Sequence, residues 1–238
     1  ICEAASRPSM RFVQPRTETQ QAMRALHRVR ESLIKDKVKT TNQMHAFLLE
    51  FGISLPKGEA VIKRLSLVLA EHDVPDYLSR LLMKLHAHYL YLVEQITTLE
   101  LELKQSIKAD DATQRMMTIP GVGPITASLL SSQLGDGKQF SCSRDFAASM
   151  GLVPRQYSTG GKPTLLGISK RGNKNLRRLL VQCARAFMMR LEHQHGRLAE
   201  WVQAQLSKKH SNVVACALAN KLARIAWAIT TRQNEYQA

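Results

Sequence analysis

Apolar residues three and four apart organise most of this chain and predict helices. Thr17 with Gln20 forms a capping box that opens a helix running to about Phe51, where Gly52 stops it. Met23, Leu26, Val29, Leu33, Val38, Met44, Phe47 and Leu48 keep a rough helical period there, opposite a basic face with Arg24, Arg28, Arg30, Lys35, Lys37 and Lys39. A short helix is expected over Ala60–Glu71. Pro75 then opens a long helix to about Lys108, whose residues Leu78, Leu81, Leu82, Leu85, Tyr89, Leu92, Ile96, Leu99, Leu103 and Ile107 form a heptad-like stripe. That stripe suits either an antiparallel partner helix within the chain or self-association.

Before this region, residues 1–5 read as the end of a helix, and Met10, Phe12 and Val13 as a brief strand. After it, short helices are predicted at Asp111–Met117, Ala127–Leu134 and Arg144–Met150. A loop follows over Leu152–Ile168, then a strongly amphipathic helix, Asn173–Glu192. Two apolar, Ala-rich helices, Leu198–Leu206 and Val213–Arg232, complete the chain. The fold class is mainly α, with parts at residues 1–55, 56–110 and 111–238. The last is expected to be all-α.

Charge changes this picture. The net charge is +15. Residues 1–110 hold 16 Lys/Arg and 13 Asp/Glu, whereas residues 111–238 hold 18 and 6, so the excess sits in the C-terminal half. Phe146–Leu191 contains no Asp or Glu but includes Arg155, Lys162, Lys170, Arg171, Lys174, Arg177, Arg178, Arg185 and Arg190. Such a surface repels itself unless a polyanion, typically nucleic acid, supplies the missing charge. Aromatic content of only 5% argues against an interface built on base stacking. The four cysteines have neither disulfide nor zinc spacing and read as buried free thiols. No apolar run of membrane length and no signal peptide is apparent, so a cytoplasmic, nucleoid-associated protein is expected.

Two segments carry candidate chemistry. Ile119–Ala127 spells I-P-G-V-G-P-I-T-A, a helix-hairpin-helix signature. Gly121 and Gly123 would let the backbone approach a phosphate, and the donors of the following helix, through Thr126, would receive it. A plain tight turn is the other reading. The second is Ser158-Thr159-Gly160-Gly161, followed by Lys162 and by Lys170-Arg171. No His or carboxylate is adjacent, so these residues alone read first as a surface loop and second as a nucleophile on a mobile turn. The acidic residues show no metal-binding pattern.

ICEAASRPSMRFV, LHRVRESLIKDKVKTTNQMHAFLLEFGI, TIPGVGPITASLL and FAASMGLVPRQYSTGGKPTLLGISKRGNKNLRRLLVQCAR occur here in order. Together they resemble the DEDD-type transposases of bacterial insertion sequences, the insertion-sequence-110 family, related to the Piv/MooV invertases. The resemblance implies a RuvC-like domain with an Asp-Glu-Asp-Asp site for Mg²⁺, a coiled-coil insertion and a C-terminal transposase domain. That last domain would donate a Ser to form a covalent link to DNA. It also implies a structured guide RNA, the bridge RNA, as partner, and a homo-oligomer with composite sites. No membrane partner is implied.

Carried onto this chain, the nucleophile falls on Ser158, with Thr159 as alternate. Arg155, Gly160, Gly161, Lys162, Lys170, Arg171, Lys174, Arg177 and Arg178 fall in the nucleic-acid-binding stretch. The resemblance places the metal carboxylates before the ICEAA helix, so this chain is expected to lack them, to bind no cofactor itself and to carry only a remnant of the RuvC-like domain. A non-catalytic helix-hairpin-helix nucleic-acid-binding protein is the alternative.

Overall fold

The computed structural model describes every residue except 9, 11–14, 57 and 238. The strand expected at Phe12 and Val13 therefore lies outside the described residues. In chain order the elements are α1 (Cys2–Ala5), α2 (Glu18–Glu50), α3 (Glu59–Ile62), α4 (Leu65–Glu71), α5 (Asp76–Lys108), α6 (Asp111–Met117), α7 (Pro124–Leu134) and α8 (Ser143–Ser149). Then come β1 (Pro154–Thr159), β2 (Lys162–Ile168), α9 (Lys174–Met189), a 3-10 turn at Leu191–His193, α10 (Arg197–Leu206) and α11 (Ser211–Arg232). The mainly α reading holds, with one exception. The expected loop over Leu152–Ile168 is an antiparallel β-hairpin, so the C-terminal part is not all-α. The helix expected over Ala60–Glu71 is two short helices, α3 and α4. α7 begins at Pro124, whose missing N–H costs nothing at the first helical position.

The chain divides into two compact units, one of residues 25–104 and one of residues 1–24 with 105–238. In the first, α2 and α5 run antiparallel. Arg30 meets Glu100 at 2.5 Å, while Met44 and Leu48 share a buried cluster with Leu82 and Tyr89. The capping box at the start of α2 is formed as read. Thr17 N–H donates to Gln20 Oε1, and Gln20 N–H to Thr17 Oγ1, both at 3.2 Å. The inward face of α2 is not the apolar stripe that the sequence suggests. His27, Thr40, Met44 and Leu48 are buried, whereas Val29 and Val38 are exposed. Polar residues hold inward positions because each finds a partner nearby, as Thr40 Oγ1 does at Asp36 O, 2.9 Å away. Most of the α5 stripe faces inward: Leu82, Tyr89, Leu92, Ile96, Leu103 and Ile107 are buried, whereas Leu81 is exposed.

The second unit is built around α11. Val214, Ala215, Leu218, Ala219, Leu222, Ala223, Ala226 and Ile229 are buried in it, and α11 packs on α6, α7, α8, α9 and α10. Its alanines let neighbouring backbones approach closely. By length and mean hydropathy α11 would suffice to cross a membrane, contrary to the sequence reading. Here its apolar residues are used in the core. Cysteine burial also differs from expectation: all four thiols are free, but Cys2 and Cys142 are exposed, Cys216 is half-buried, and only Cys183 is buried.

Candidate nucleic-acid interface

The hairpin dictates the geometry of the site. Its register pairs Thr159 with Lys162 and Ser158 with Pro163, leaving Gly160-Gly161 as a two-residue turn. Both glycines have positive φ, +57° and +77°, as a type I′ turn requires. Nothing lies within 4 Å of a Cβ at either position, so conformation alone demands glycine there. Nearer the base, Leu166 and Gly167 oppose the single residue Arg155, a bulge that adds local twist. All but Ile168 of the hairpin is exposed, on both faces. A two-stranded ribbon with no buried face is marginal in water unless something holds its ends.

A backbone crossing holds them. Ser169 N–H donates to Val153 O at 2.8 Å, Lys170 N–H to Gly151 O at 3.1 Å, and Asn173 N–H to Ser149 O at 3.2 Å. The strands thus leave and rejoin the body between the C-terminus of α8 and the N-terminus of α9. Gly151 and Gly172 make this approach possible. A Cβ on Gly151 would lie 2.4 Å from Arg171 O, and one on Gly172 would lie 2.0 Å from Ser149 O. Arg177 adds a strut, donating from Nη1 to Met150 O at 2.8 Å.

Strand alternation sorts the tip residues. Gln156, Ser158, Pro163 and Leu165 share one face, and Tyr157, Thr159, Lys162 and Thr164 the other. Ser158 and Thr159 therefore point to opposite sides. Ser158 Oγ accepts a hydrogen bond from Gln156 Nε2 at 2.7 Å, which leaves its own proton free to donate or depart. The Thr159 side carries the Lys162 ammonium instead.

The cations gather at the hairpin's foot. α9 starts at Lys174, with Asn173 as N-cap accepting from Leu176 N–H at 3.1 Å. Lys170, Arg171 and Lys174 are exposed around this helix N-terminus, which has no acidic residue in its first turn. Positive side chains at the positive end of a helix dipole are unfavourable unless an anion joins them. Arg178 is exposed one turn on and is bonded to Asn175 Oδ1. Leu176, Leu180, Cys183, Ala184 and Phe187 are buried on the opposite face of α9 and hold it in place.

The Ile119–Ala127 element is placed differently from its expected role in part. Gly121 packs on α9, where a Cβ would lie 2.8 Å from Cys183 O. Thr126 is buried, and its hydroxyl lies 3.4 Å from Cys183 Sγ. Its side chain thus faces the interior and not a phosphate. The Gly123 N–H bonds the same sulfur, yet a Cβ on Gly123 would meet nothing within 4 Å. Burial raises the Cys183 thiol above its ordinary pKa despite these bonds, which makes it a poor nucleophile. Of the proposed phosphate ligands, Lys162, Lys170, Arg171, Lys174 and Arg178 are exposed near the hairpin, while Gly121, Thr126 and Arg177 serve packing or support.

Residues 113–200, from α6 through the hairpin and α9 into α10, match the model of the Transposase IS116/IS110/IS902 family. The chain is 70% identical to the transposase for insertion sequence element IS1328 of Yersinia enterocolitica, over 98% of this chain and 70% of that protein. The chain belongs to the IS116/IS110/IS902 transposase family. It is also 41% identical to a probable family 20 transposase of Pseudomonas aeruginosa, over 100% of this chain and 71% of that protein. With the IS1111A transposase of Coxiella burnetii it shares 41% identity over 100% of this chain and 66% of the relative. Transposition of DNA is therefore the activity of its family, and the basic hairpin and α9 of this transposase lie within the matched region.

Sequence reasoning missed Gly151 and Gly172, which close the base of the hairpin. No short-range pattern marks them, because each is required by backbone about twenty residues away in the sequence, Gly151 by Arg171 and Gly172 by Ser149.

Proposed function

We propose that the hairpin is the arm by which this transposase delivers a hydroxyl nucleophile, Ser158, to a DNA phosphodiester. The carrying observation is a hairpin exposed on both faces, fixed at its base by the Gly151–Gly172 crossing, with Ser158 beside its tip. An arm with no core of its own gains from exposure only if it reaches into a bound substrate. Lys170, Arg171 and Lys174 at the α9 N-terminus would neutralise the flanking phosphates. In the step itself a bond forms from Ser158 Oγ to phosphorus, and the bond from phosphorus to one sugar oxygen breaks. The serine proton passes to solvent, and the leaving alkoxide takes one up.

Mg²⁺ is implied by the resemblance to DEDD-type enzymes. Among the described residues, no group of three or more His, Cys, Asp or Glu side chains could hold a metal. The described residues therefore do not fit the ion. We place the metal carboxylates of the proposal in the part of the longer relatives outside the match. The bridge RNA and homo-oligomer belong to the same proposal. The positive, acid-free segment supports a nucleic-acid guide, and exposed Tyr77, Leu81, Leu90, Tyr91 and Leu101 on α5 support self-association.

A second reading has a specific observation behind it: Thr159 shares its face with Lys162, so a phosphate drawn to that ammonium would meet Thr159 first. Ser158→Ala and Thr159→Ala, made separately in the whole transposase, decide between them. The readouts are DNA joining and a denaturant-resistant protein–DNA adduct. Loss of both with Ser158→Ala alone is expected. Loss with Thr159→Ala alone assigns the role to Thr159, and retention by both variants removes the hairpin hydroxyls from the chemistry.

A further inference from the structure

A groove of about 1110 Å³ lies beside the hairpin base. α11 and Trp201 of α10 form one wall, and the bulged foot of the hairpin with Ser169-Lys170 forms the other. Its lining has two chemistries. Val213, Cys216 and Ile225 give it an apolar floor, and Arg155, Lys170, Lys221 and Arg224 give it four cations. Among the described residues no carboxylate lines it. Its volume lies at the upper end of the roughly 300–1,000 Å³ range typical of ligand pockets.

The cations call for a polyanion, and the floor says in what form. Duplex DNA presents its phosphates outward and keeps its base faces stacked, so contact with its backbone needs charge and no apolar floor. A strand whose bases have left the stack presents both an apolar ring face and a phosphate per unit. Trp201 provides an aromatic surface in the wall, and the Lys221 ammonium lies over its ring, 4.4 Å from the centroid, so a stacked base would take the place that Lys221 leaves on turning to a phosphate. Burial, and then the neighbouring Arg224 charge, lower the Lys221 pKa below its ordinary value. The charged amine is thus held at a cost that an arriving phosphate relieves.

We propose that this groove binds an unstacked, single-stranded nucleic-acid segment, with Trp201 as a base platform and Arg155, Lys170, Lys221 and Arg224 as phosphate partners. The proposal rests on the nucleic-acid reading above and adds the strand state. It also revises the expectation from aromatic content, since one well-placed indole serves where a stacking surface is absent.

The test uses the 238-residue chain carrying Trp227→Phe, which leaves Trp201 as the sole indole of the two in the sequence. Its fluorescence is titrated with a short oligothymidylate and with a duplex of equal length at one salt concentration. Saturable quenching by the single strand is expected. The variants are read by the anisotropy of a fluorescein-labelled oligonucleotide, since no indole then remains: adding Trp201→Ala should weaken single-strand binding about tenfold, within the roughly 5–150-fold that loss of one base–aromatic stack gives, and change duplex binding less than about twofold. Trp201→Phe, which keeps a ring, should retain most of the affinity. Lys221→Met, an independent probe that leaves the indole in place, should weaken the single strand and reduce its salt slope by about one.

Equal loss for single strand and duplex, or single-strand binding indifferent to both Trp201→Ala and Lys221→Met, overturns the proposal. Binding of neither oligonucleotide would instead overturn the nucleic-acid reading on which it rests.

Discussion

Gly172→Ala should release the hairpin from the body of the transposase. At φ +126° an L-residue is strained, and the added methyl would stand 2.0 Å from Ser149 O and 2.8 Å from its carbonyl carbon. Both are backbone atoms at the end of α8, so no side-chain rotation relieves the overlap. The chain must separate, and the bonds of Asn173 N–H to Ser149 O and Lys170 N–H to Gly151 O are the nearest to break. The strained conformation costs about 1–3 kcal/mol, and each lost hydrogen bond adds about 1 kcal/mol. The total is about 3–5 kcal/mol, a large share of the roughly 5–15 kcal/mol by which domains are stable. At about 2–4 °C per kcal/mol for a unit of this size, the melting temperature should fall by about 6–20 °C.

Detachment of the hairpin alone would limit that fall and appear as faster amide exchange at Ser169, Lys170 and Asn173. Thermal unfolding by circular dichroism, with amide exchange on the same samples, reads both outcomes. Gly161→Ala is the control: its Cβ meets nothing, and only the left-handed conformation, about 1–2 kcal/mol, is at stake. A Gly172→Ala protein no less stable than Gly161→Ala, with unchanged exchange at the three amides, would refute the clamp.

Gly121→Ala should destabilise, because its Cβ meets Cys183 O. Gly123→Ala should melt like the wild type, its Cβ meeting nothing, and weaken DNA binding only if the Gly123 backbone approaches phosphate; filter binding beside a melt separates the two. Lys174→Ala should leave stability intact and lower the salt slope of DNA affinity by about one. Arg177→Ala, which removes the strut to Met150 O, should instead cost about 1–3 kcal/mol in denaturant unfolding. Buried His27 has its pKa lowered to about 4, first by burial and then by Arg30. The folded state therefore keeps His27 neutral while the unfolded state takes up a proton below about pH 6.5. Its contribution is complete above that pH and falls by about 3 kcal/mol as pH drops to about 4. His27→Leu should flatten this part of the stability profile, and an unchanged slope would exclude His27 as its source.

Local signals carried much of the fold. The Thr17–Gln20 capping box, Pro75 at a helix start, most of the α5 heptad stripe and the amphipathic α9 depend on residues a turn or two apart, so the chain itself determines them. The concentration of positive charge between Phe146 and Leu191 is equally a property of the sequence, as is membership of its transposase family. The hairpin was hidden because its strands are exposed on both faces and show no alternation of buried and exposed residues. What sets its pairing is the Gly160-Gly161 turn and a crossing between Gly151 and Gly172, far enough apart that neither predicts the other. Inward-facing Thr126 and Arg177 could not be told from surface ligands, because their partners Cys183 and Met150 are 57 and 27 residues away. The groove is the extreme case. Arg155 and Lys170 from the hairpin's foot meet Trp201, Lys221 and Arg224 only because α11 crosses behind it, and that packing is a decision of the whole core rather than of any segment.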